Sequence, residues 1–319
     1  MIPVRLHITP TKTQLEQMAS MIGIEPVENQ IHIPPAFGSG FLRYYALPYE
    51  IQLHHYCYNL HQQVQVNGIN DEEDGMYMLQ INLSNRIIEK NIGEGKRRLS
   101  ESGKSGVIFY SPGFHSSGVN EVNQEFEVVF FSFPPATVSA HLNVGQWERL
   151  FQQRKFCMYT ELPEALDQEL RKTLIQEEHE NPFVKNGQRL EILGKVLNLF
   201  GQRKYMPEHR LTSQDIDKMF AVKEVLLQHI FGSPPTIDQL AVDMAMSKSK
   251  LKADFKSLFG NSIYQYYLSR KMEVAKDLLI RKEGTVSEIG YRLGYSNIAQ
   301  FSAQFKKHHG CTPGKVKQA

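Results

Sequence analysis

Lys248, Ser249, Lys252 and Lys256 fall on one face of a helical segment whose opposite face carries Leu251 and Phe255, four residues apart. A lysine on such a face can donate to guanine O6 and N7 or to a phosphate, and a serine can contact either base or backbone. Lys250 lies to the side, nearer a nucleic-acid backbone than a base edge. About fifty residues further on, Phe301 and Phe305 repeat the apolar pair. The outward positions there are Ile298, Ala299, Ser302 and Ala303, flanked by Asn297, Gln300, Lys306 and Lys307. That second face has little capacity for paired hydrogen bonds. It suits thymine methyl groups, with the lysines and the helix start holding phosphate.

Such faces work only if something anchors their backs, and the sequence supplies the same anchor twice. The first copy reads Leu240-Ala241, Ser247, Leu251 and Phe255, closed by Gly260. The second reads Ile289-Gly290, Ser296, Phe301 and Phe305, closed by Gly310, with one extra residue between its two helices. In each, a very small residue beside an apolar one permits a close helix crossing. A polar helix starter follows, then two large apolar residues seat the second helix. This is the requirement of a helix-turn-helix. Thr236 with Gln239, Ser262 with Gln265 and Thr285 with Glu288 have capping-box spacing, and Thr312-Pro313 sets a cap before a first-turn proline. The stretch Ser262–Ile280 is predicted to be a rod joining the two units. Alanine at 290 should be tolerated or slightly stabilising, because it favours helix over glycine.

The segments "TIDQLAVDMAMSKSKLKADFKSLFG" and "TVSEIGYRLGYSNIAQFSAQFKKHHGCTP" resemble the DNA-binding domain of the AraC/XylS transcription regulators. The residues that carry the likeness most are Glu288-Ile289, Gly294-Tyr295, Phe301, Phe305-Lys306-Lys307, Gly310 and Pro313. The chain departs from that pattern at Gly290, where the family usually has alanine, and at Lys271, where its linker helix usually has arginine. Ala253 and Ala303 stand at reading-helix positions that more often carry arginine.

Charge is distributed as contact with phosphate would require. The net charge of the 319 residues is +2. From Arg210 onward there are 17 Lys and Arg against 10 Asp and Glu, and before it 19 against 24. A basic end on an acidic remainder suits a nucleic-acid partner. Cys57, Cys157 and Cys311 are scattered, with no CxxC or Cys/His metal spacing, which points to reduced thiols and a cytoplasmic protein. No secretory signal and no apolar run long enough for a bilayer is expected.

Residues 1–135 read mainly as strands and turns, after a short helix near Thr13–Ile22. "GFLRYYAL", "EIQLHHYCYNL", "MYMLQINLS", "GVIFY" and "EFEVVFFSF" are predicted strands, with "NGINDEEDG" and "GEGKRRLSESGKSG" as turns or loops. A small β-barrel or sandwich follows. "SGVIFYSPGFHSSG" resembles the cupin-like sensor domains that precede AraC-type reading domains. Tyr44, His54, Tyr56, Tyr58 and His115 are the candidate effector residues; aromatic residues of this density fit a ligand pocket or ordinary core. Adjacent His54 and His55 point to opposite faces of a strand, so no metal ligand set is formed. Leu166, Leu170 and Leu174, then Leu190, Leu193, Val196, Leu197 and Phe200, mark a helical hairpin whose stripes suit core or a dimer interface.

The fold class expected is α+β in two domains. The first, 1–204, is a cupin-like sensor and dimerisation domain with its hairpin at about 161–204. A linker at 205–213 leads to an all-α domain, 214–319, with two helix-turn-helix units on a linker helix. What the resemblance implies is a non-enzymatic regulator with no cofactor. It would bind promoter half-sites in double-stranded DNA as a homodimer, respond to a small-molecule effector, have no membrane partner, and engage RNA polymerase. The alternatives are a cupin-type metalloenzyme fused to a DNA-binding module, or a ligand-independent dimeric DNA-binding protein.

Overall fold

The computed structural model describes residues 1–84, 89–92, 96–98, 105–142, 146–151, 155–175, 181–201 and 211–318. The chain divides into two compact units, Met1–Asp217 and Lys218–Ala319. The first is rich in sheet and the second is helical. Among the described residues, no helix is long and apolar enough to cross a membrane. The first six residues of the expected 205–213 linker lie outside the described residues.

The first unit runs β1 (Ile2–His7), α1 (Gln14–Ile22), β2 (Gln30–His32), β3 (Gly38–Leu47), β4 (Ile51–Leu60), β5 (Val64–Ile69) and β6 (Tyr77–Asn82). It continues through β7 (Glu89–Ile92), β8 (Lys96–Arg98), β9 (Gly106–Tyr110), β10 (Ser116–Asn120) and β11 (Glu125–Phe133). Then come α2 (Pro135–Thr137), a π-helical turn (Val138–Leu142), α3 (Gln146–Phe151), β12 (Cys157–Glu161), α4 (Glu164–Ile175) and α5 (Pro182–Gly201). Seven strands form one sheet in the order β12-β9-β6-β11-β4-β3-β2, and five form another, β1-β5-β10-β7-β8.

The seven-stranded sheet is covered on both faces, and its register shows how the two differ. One row runs Tyr45, Leu53, Phe131, Leu79, Phe109 and Met158 across six strands. The next, on the opposite face, runs Tyr44, His54, Phe130, Gln80, Ile108 and Tyr159. The first face is packed by the hairpin: Leu166, Leu170 and Leu174 of α4 and Ile192, Leu193, Val196, Leu197 and Phe200 of α5 join its buried cluster. The helical stripes therefore serve the protomer's own core. Arg171 of α4 fastens the helix to the sheet, donating to Glu127 (2.8 Å), Asp167 (2.8 Å) and the carbonyl of Leu83 (2.5 Å). His55, on this same face, meets Glu127 at 3.0 Å.

Several short strands depart from the sequence expectation. β1 and β5 pair in parallel and start the second sheet, although residues 67–69 of β5 fall in the stretch "NGINDEEDG" expected to be turn or loop. β12 lies just before the expected hairpin, where no strand was expected. Its Cys157, Met158 and Tyr159 are buried and complete the edge of the large sheet. Lys96–Arg98 form a strand inside the expected glycine-rich loop, most of whose other residues lie outside the described ones.

Since Leu170 is 1% exposed and sits in the sheet–hairpin core, Leu170→Ala should destabilise the first unit by about 2–5 kcal/mol. Urea unfolding of the full chain measures this. A loss below about 1 kcal/mol would mean that the hairpin stripe is not core.

Candidate nucleic-acid interface

The second unit contains α6 from Lys218 on (the helix runs Ser213–Gln228), α7 (Ile237–Asp243), α8 (Lys248–Phe259), α9 (Ile263–Ile280), α10 (Val286–Arg292), α11 (Ile298–His309) and α12 (Pro313–Gln318). Capping boxes start α7 at Thr236, α9 at Ser262 and α10 at Thr285, each with the N3 side chain returning to the cap backbone. Left-handed Gly260 and Gly310 close α8 and α11. Each reading helix is thus bounded at both ends by local chemistry, before any tertiary contact is counted.

The backs of the reading helices are seated as the spacing demands. Leu251 and Phe255 of α8, and Phe301 and Phe305 of α11, are each 0% exposed. Phe255 packs against Phe259 and Tyr266, with centroids 4.5 and 5.5 Å away. Phe301 and Phe305 share a cluster with Met272, Ala275, Leu278 and Leu279 of α9, and with Ile289 and Leu293. The rod α9 is therefore a structural part of both units.

At the helix crossing the two helix-turn-helix copies use different pairs of residues. Ala241 and Leu251 in the first copy correspond to Gly290 and Phe301 in the second. A Cβ on Gly290 would stand 2.8 Å from Ile298 Cδ1 and 3.1 Å from Phe301 Cδ1. The larger anchor takes the space that the alanine methyl would fill, so the glycine is matched to Phe301. Alanine at 290 would therefore meet crowding that offsets its gain in helix propensity.

The turns correspond up to a point. Met246 N–H donates to Ala241 O at 2.9 Å, and Tyr295 N–H to Gly290 O at 3.0 Å. The residues just before, Ala245 (φ 48°) and Gly294 (φ 80°), are both left-handed. Ser247 then caps α8 directly, whereas Asn297, not Ser296, caps α11. The extra residue of the second copy is Ser296, in the turn. Asn297 Oδ1 accepts from the N–H groups of Ala299 (2.9 Å) and Gln300 (3.2 Å), so that oxygen holds the helix start.

On α8, Lys248, Ser249, Lys250, Lys252 and Lys256 are all exposed, and Ala253 is half-buried. Lys248 reaches Asp238 of α7 at 2.7 Å, and Lys250 reaches the fully buried Asp254 at 2.6 Å. Lys252 makes no ion pair with a described residue, which leaves its ammonium available to a partner. On α11, Ala299, Gln300, Ala303, Lys306 and Lys307 are exposed. Ile298 and Ser302 are half-buried, since Ile298 leans over Gly290.

Sequence reasoning missed a latch around Lys271. Its Nζ donates to Gly232 O at 2.8 Å and lies 4.7 Å from the Tyr267 ring centroid and 5.6 Å from that of Tyr295. Tyr267 Oη donates to the carbonyls of Gly232 and His229, at 2.5 and 3.0 Å. Burial pushes the lysine pKa down to about 8. The latch joins the end of the first helix of this unit to the turn that precedes α11. The only sequence signal for it was that Lys271 replaced the expected arginine. The pairing of Asp254 with Lys250 was missed as well, although their i,i+4 spacing was a signal for it.

The effector candidates of the first unit divide. His54, Tyr56 and Tyr58 lie on the sheet face opposite the hairpin, with Tyr44 5.1 Å from His54 between ring centroids. His115 stands apart: its Nδ1 accepts from the Asn70 backbone N–H at 3.2 Å and closes a loop. Among the described residues, no three His, Cys, Asp or Glu side chains converge closely enough to hold a metal ion.

Gly290→Leu should overpack the crossing by about 1–3 kcal/mol or more and abolish DNA binding while the first unit stays folded. Gly290→Ala should stay within about 1 kcal/mol of the parent, because its gain in helix propensity is offset by crowding against Phe301. Thermal melting and DNA binding of both variants check this. A leucine variant identical to the parent would mean that no tight crossing exists.

Known proteins resemble this part of the chain in sequence. The family described as a helix-turn-helix domain matches residues 240–319. The HTH-type transcriptional regulator YdiP of Escherichia coli (strain K12) is 30% identical over 105 residues, 32% of this chain and 35% of that protein. YtdP of Bacillus subtilis (strain 168), also named an HTH-type transcriptional regulator, is 32% identical over 93 residues, 29% of this chain and 12% of that one. The match therefore spans well under half the length of either relative. Among solved structures, the C-terminal domain of AraT, a response regulator from Geobacillus stearothermophilus, is 27% identical. That match covers 32% of this chain and 84% of that one, with a TM-score of 0.30. With two anchored helices on one rod and a family match over the same residues, residues 240–319 are a DNA-binding helix-turn-helix domain similar to those of AraC-type regulators.

Proposed function

We propose that this chain is a sequence-specific transcription regulator whose sheet-rich unit, read as cupin-like, binds a small-molecule effector. The carrying observation is the pair of reading helices fixed to one rod, with outward faces of different chemistry. The exposed lysines of α8 suit guanine edges, so the first helix-turn-helix does most of the direct base reading. The small residues and lysines of α11 suit thymine methyls and phosphate, so the second helix-turn-helix mainly positions the domain. Two reading helices on a rigid rod would meet successive major grooves on one DNA face, about one helical turn or ~34 Å apart.

In this reading residues 1–204 form the sensor and dimerisation domain and 214–319 the reading domain. The homodimer places two reading domains on promoter half-sites in the cytoplasm, and RNA polymerase is the further partner. Because the hairpin stripes are buried within the protomer, dimer contacts would use other residues of that unit. An effector changes DNA binding only if it binds the two states of the regulator with different affinity.

Lys252 is the single residue that tests base reading. On a site selected from random DNA, Lys252→Ala in the full chain should cost about 1–3 kcal/mol and relax preference at one base position. Parent binding should weaken with salt along a log–log slope of several units, as released counterions require. An equal loss on random DNA would make Lys252 a phosphate contact and withdraw its assignment to a base.

A further inference from the structure

Building on the reading that the sheet-rich unit takes an effector, we propose that its ligand is an uncharged amphiphile. Its body lies between the two sheets and its hydrogen-bonding end meets Tyr56.

The sheet face opposite the hairpin is buried yet carries polar side chains. His54, Tyr56 and Tyr58 alternate along β4 on this face, at 0%, 4% and 6% exposure. Both ring nitrogens of His54 and the hydroxyl of Tyr56 have no hydrogen-bond partner among the described residues. The two rings lie 5.7 Å apart between centroids. Unpartnered buried polar groups are costly, and leucine or phenylalanine would avoid the cost at these positions. Their retention therefore calls for a partner, and the Tyr56 ring lines a cavity bounded by strands of both sheets. Both groups are neutral: burial raises the Tyr56 phenol well above its ordinary range and lowers the His54 imidazole to about 3. The Tyr56 hydroxyl can donate to a carbonyl or hydroxyl oxygen, and neutral His54 can donate with one nitrogen and accept with the other.

The space beside them is apolar. A neighbouring cavity of about 300 Å³ shares Met18, Tyr58, Val66 and Asn120 with the first. Its remaining lining is aliphatic or aromatic, including Met21, Ile22 and Phe37. Among the described residues, no Asp, Glu, Lys, Arg or His side chain lines either cavity. Asn120 Nδ2 donates to Tyr58 Oη at 2.7 Å, which leaves the polar contact at the junction satisfied from within. An ionised head group would enter with no counter-charge and lose its hydration, a penalty that a hydroxyl or carbonyl does not carry. Size, apolar lining and one neutral polar end thus select the ligand class.

Decanol and decanoate form a probe pair of equal chain length that differs in charge. Calorimetric titration of the full chain at neutral pH should show decanol binding one site, and decanoate binding at least ~100-fold more weakly. Tyr56→Phe should weaken decanol about five- to tenfold and also raise the melting temperature of the free protein, because an unpartnered hydroxyl leaves the interior. Met18→Trp fills the shared part of both cavities from α1 and should abolish decanol binding even if the Tyr56 variant does not fold. Equal or tighter binding of decanoate, no binding of decanol, or indifference to both substitutions would overturn the assignment. The effector reading fails separately: if decanol binds as expected but DNA affinity is unchanged, the ligand class stands and effector control does not. If decanol fails to bind while DNA binding persists, the ligand class falls alone.

Discussion

A close helix crossing behind each reading helix is the constraint on which the DNA-binding unit depends. The reading helices are short, α8 and α11 having 12 residues each, and isolated helices of that length are marginal in water. They hold their orientation because two large side chains on each are driven into a shared interior against α9. The crossing must be tight for those side chains to reach, and its tightness is set by one small residue. Ala241 suffices opposite Leu251, while Gly290 is needed opposite Phe301. The outward residues can then vary in chemistry without disturbing the frame. This is why one unit can present lysines and the other mostly alanine and serine.

In the first unit, a single large sheet is asked to do two things. One face gives α4 and α5 an apolar bed, locked by the Arg171–Glu127–Asp167 network and His55. The opposite face is buried but polar, with His54, Tyr56, Gln80 and Asn82 in adjacent rows. Strand alternation allows the two chemistries to sit back to back, because neighbouring residues such as His54 and His55 point opposite ways. The helical side supplies stability, and the side facing the other sheet carries the polar groups that the proposed ligand would meet.

The reading domain was legible because its determinants are local: caps, glycine stops and apolar pairs at i,i+4 are written in consecutive residues. Ser296 misled because a serine at the expected offset looks like a cap, while Asn297 next to it reaches two N–H groups at once. Lys271 could not be placed, since its partners Gly232 and Tyr295 are distant in sequence and one is a backbone carbonyl. In the sheet-rich unit the long strands were legible, but β1, β5 and β12 were not, because their burial is decided by pairing with remote strands. Tyr56 and His54 were singled out by residue type alone. That their polar atoms are buried with no hydrogen-bond partner among the described residues is a property of the packed sheet and has no sequence signal.

Hydroxyl-radical footprinting and guanine methylation protection on a selected site test most directly whether two anchored helices on one rod read DNA together. Two protected major-groove patches are expected per reading domain, on one face of the DNA and about one helical turn (~34 Å) apart, with guanine protection concentrated in one patch. A single protected patch per domain, or two on opposite faces of the duplex, would contradict such joint reading.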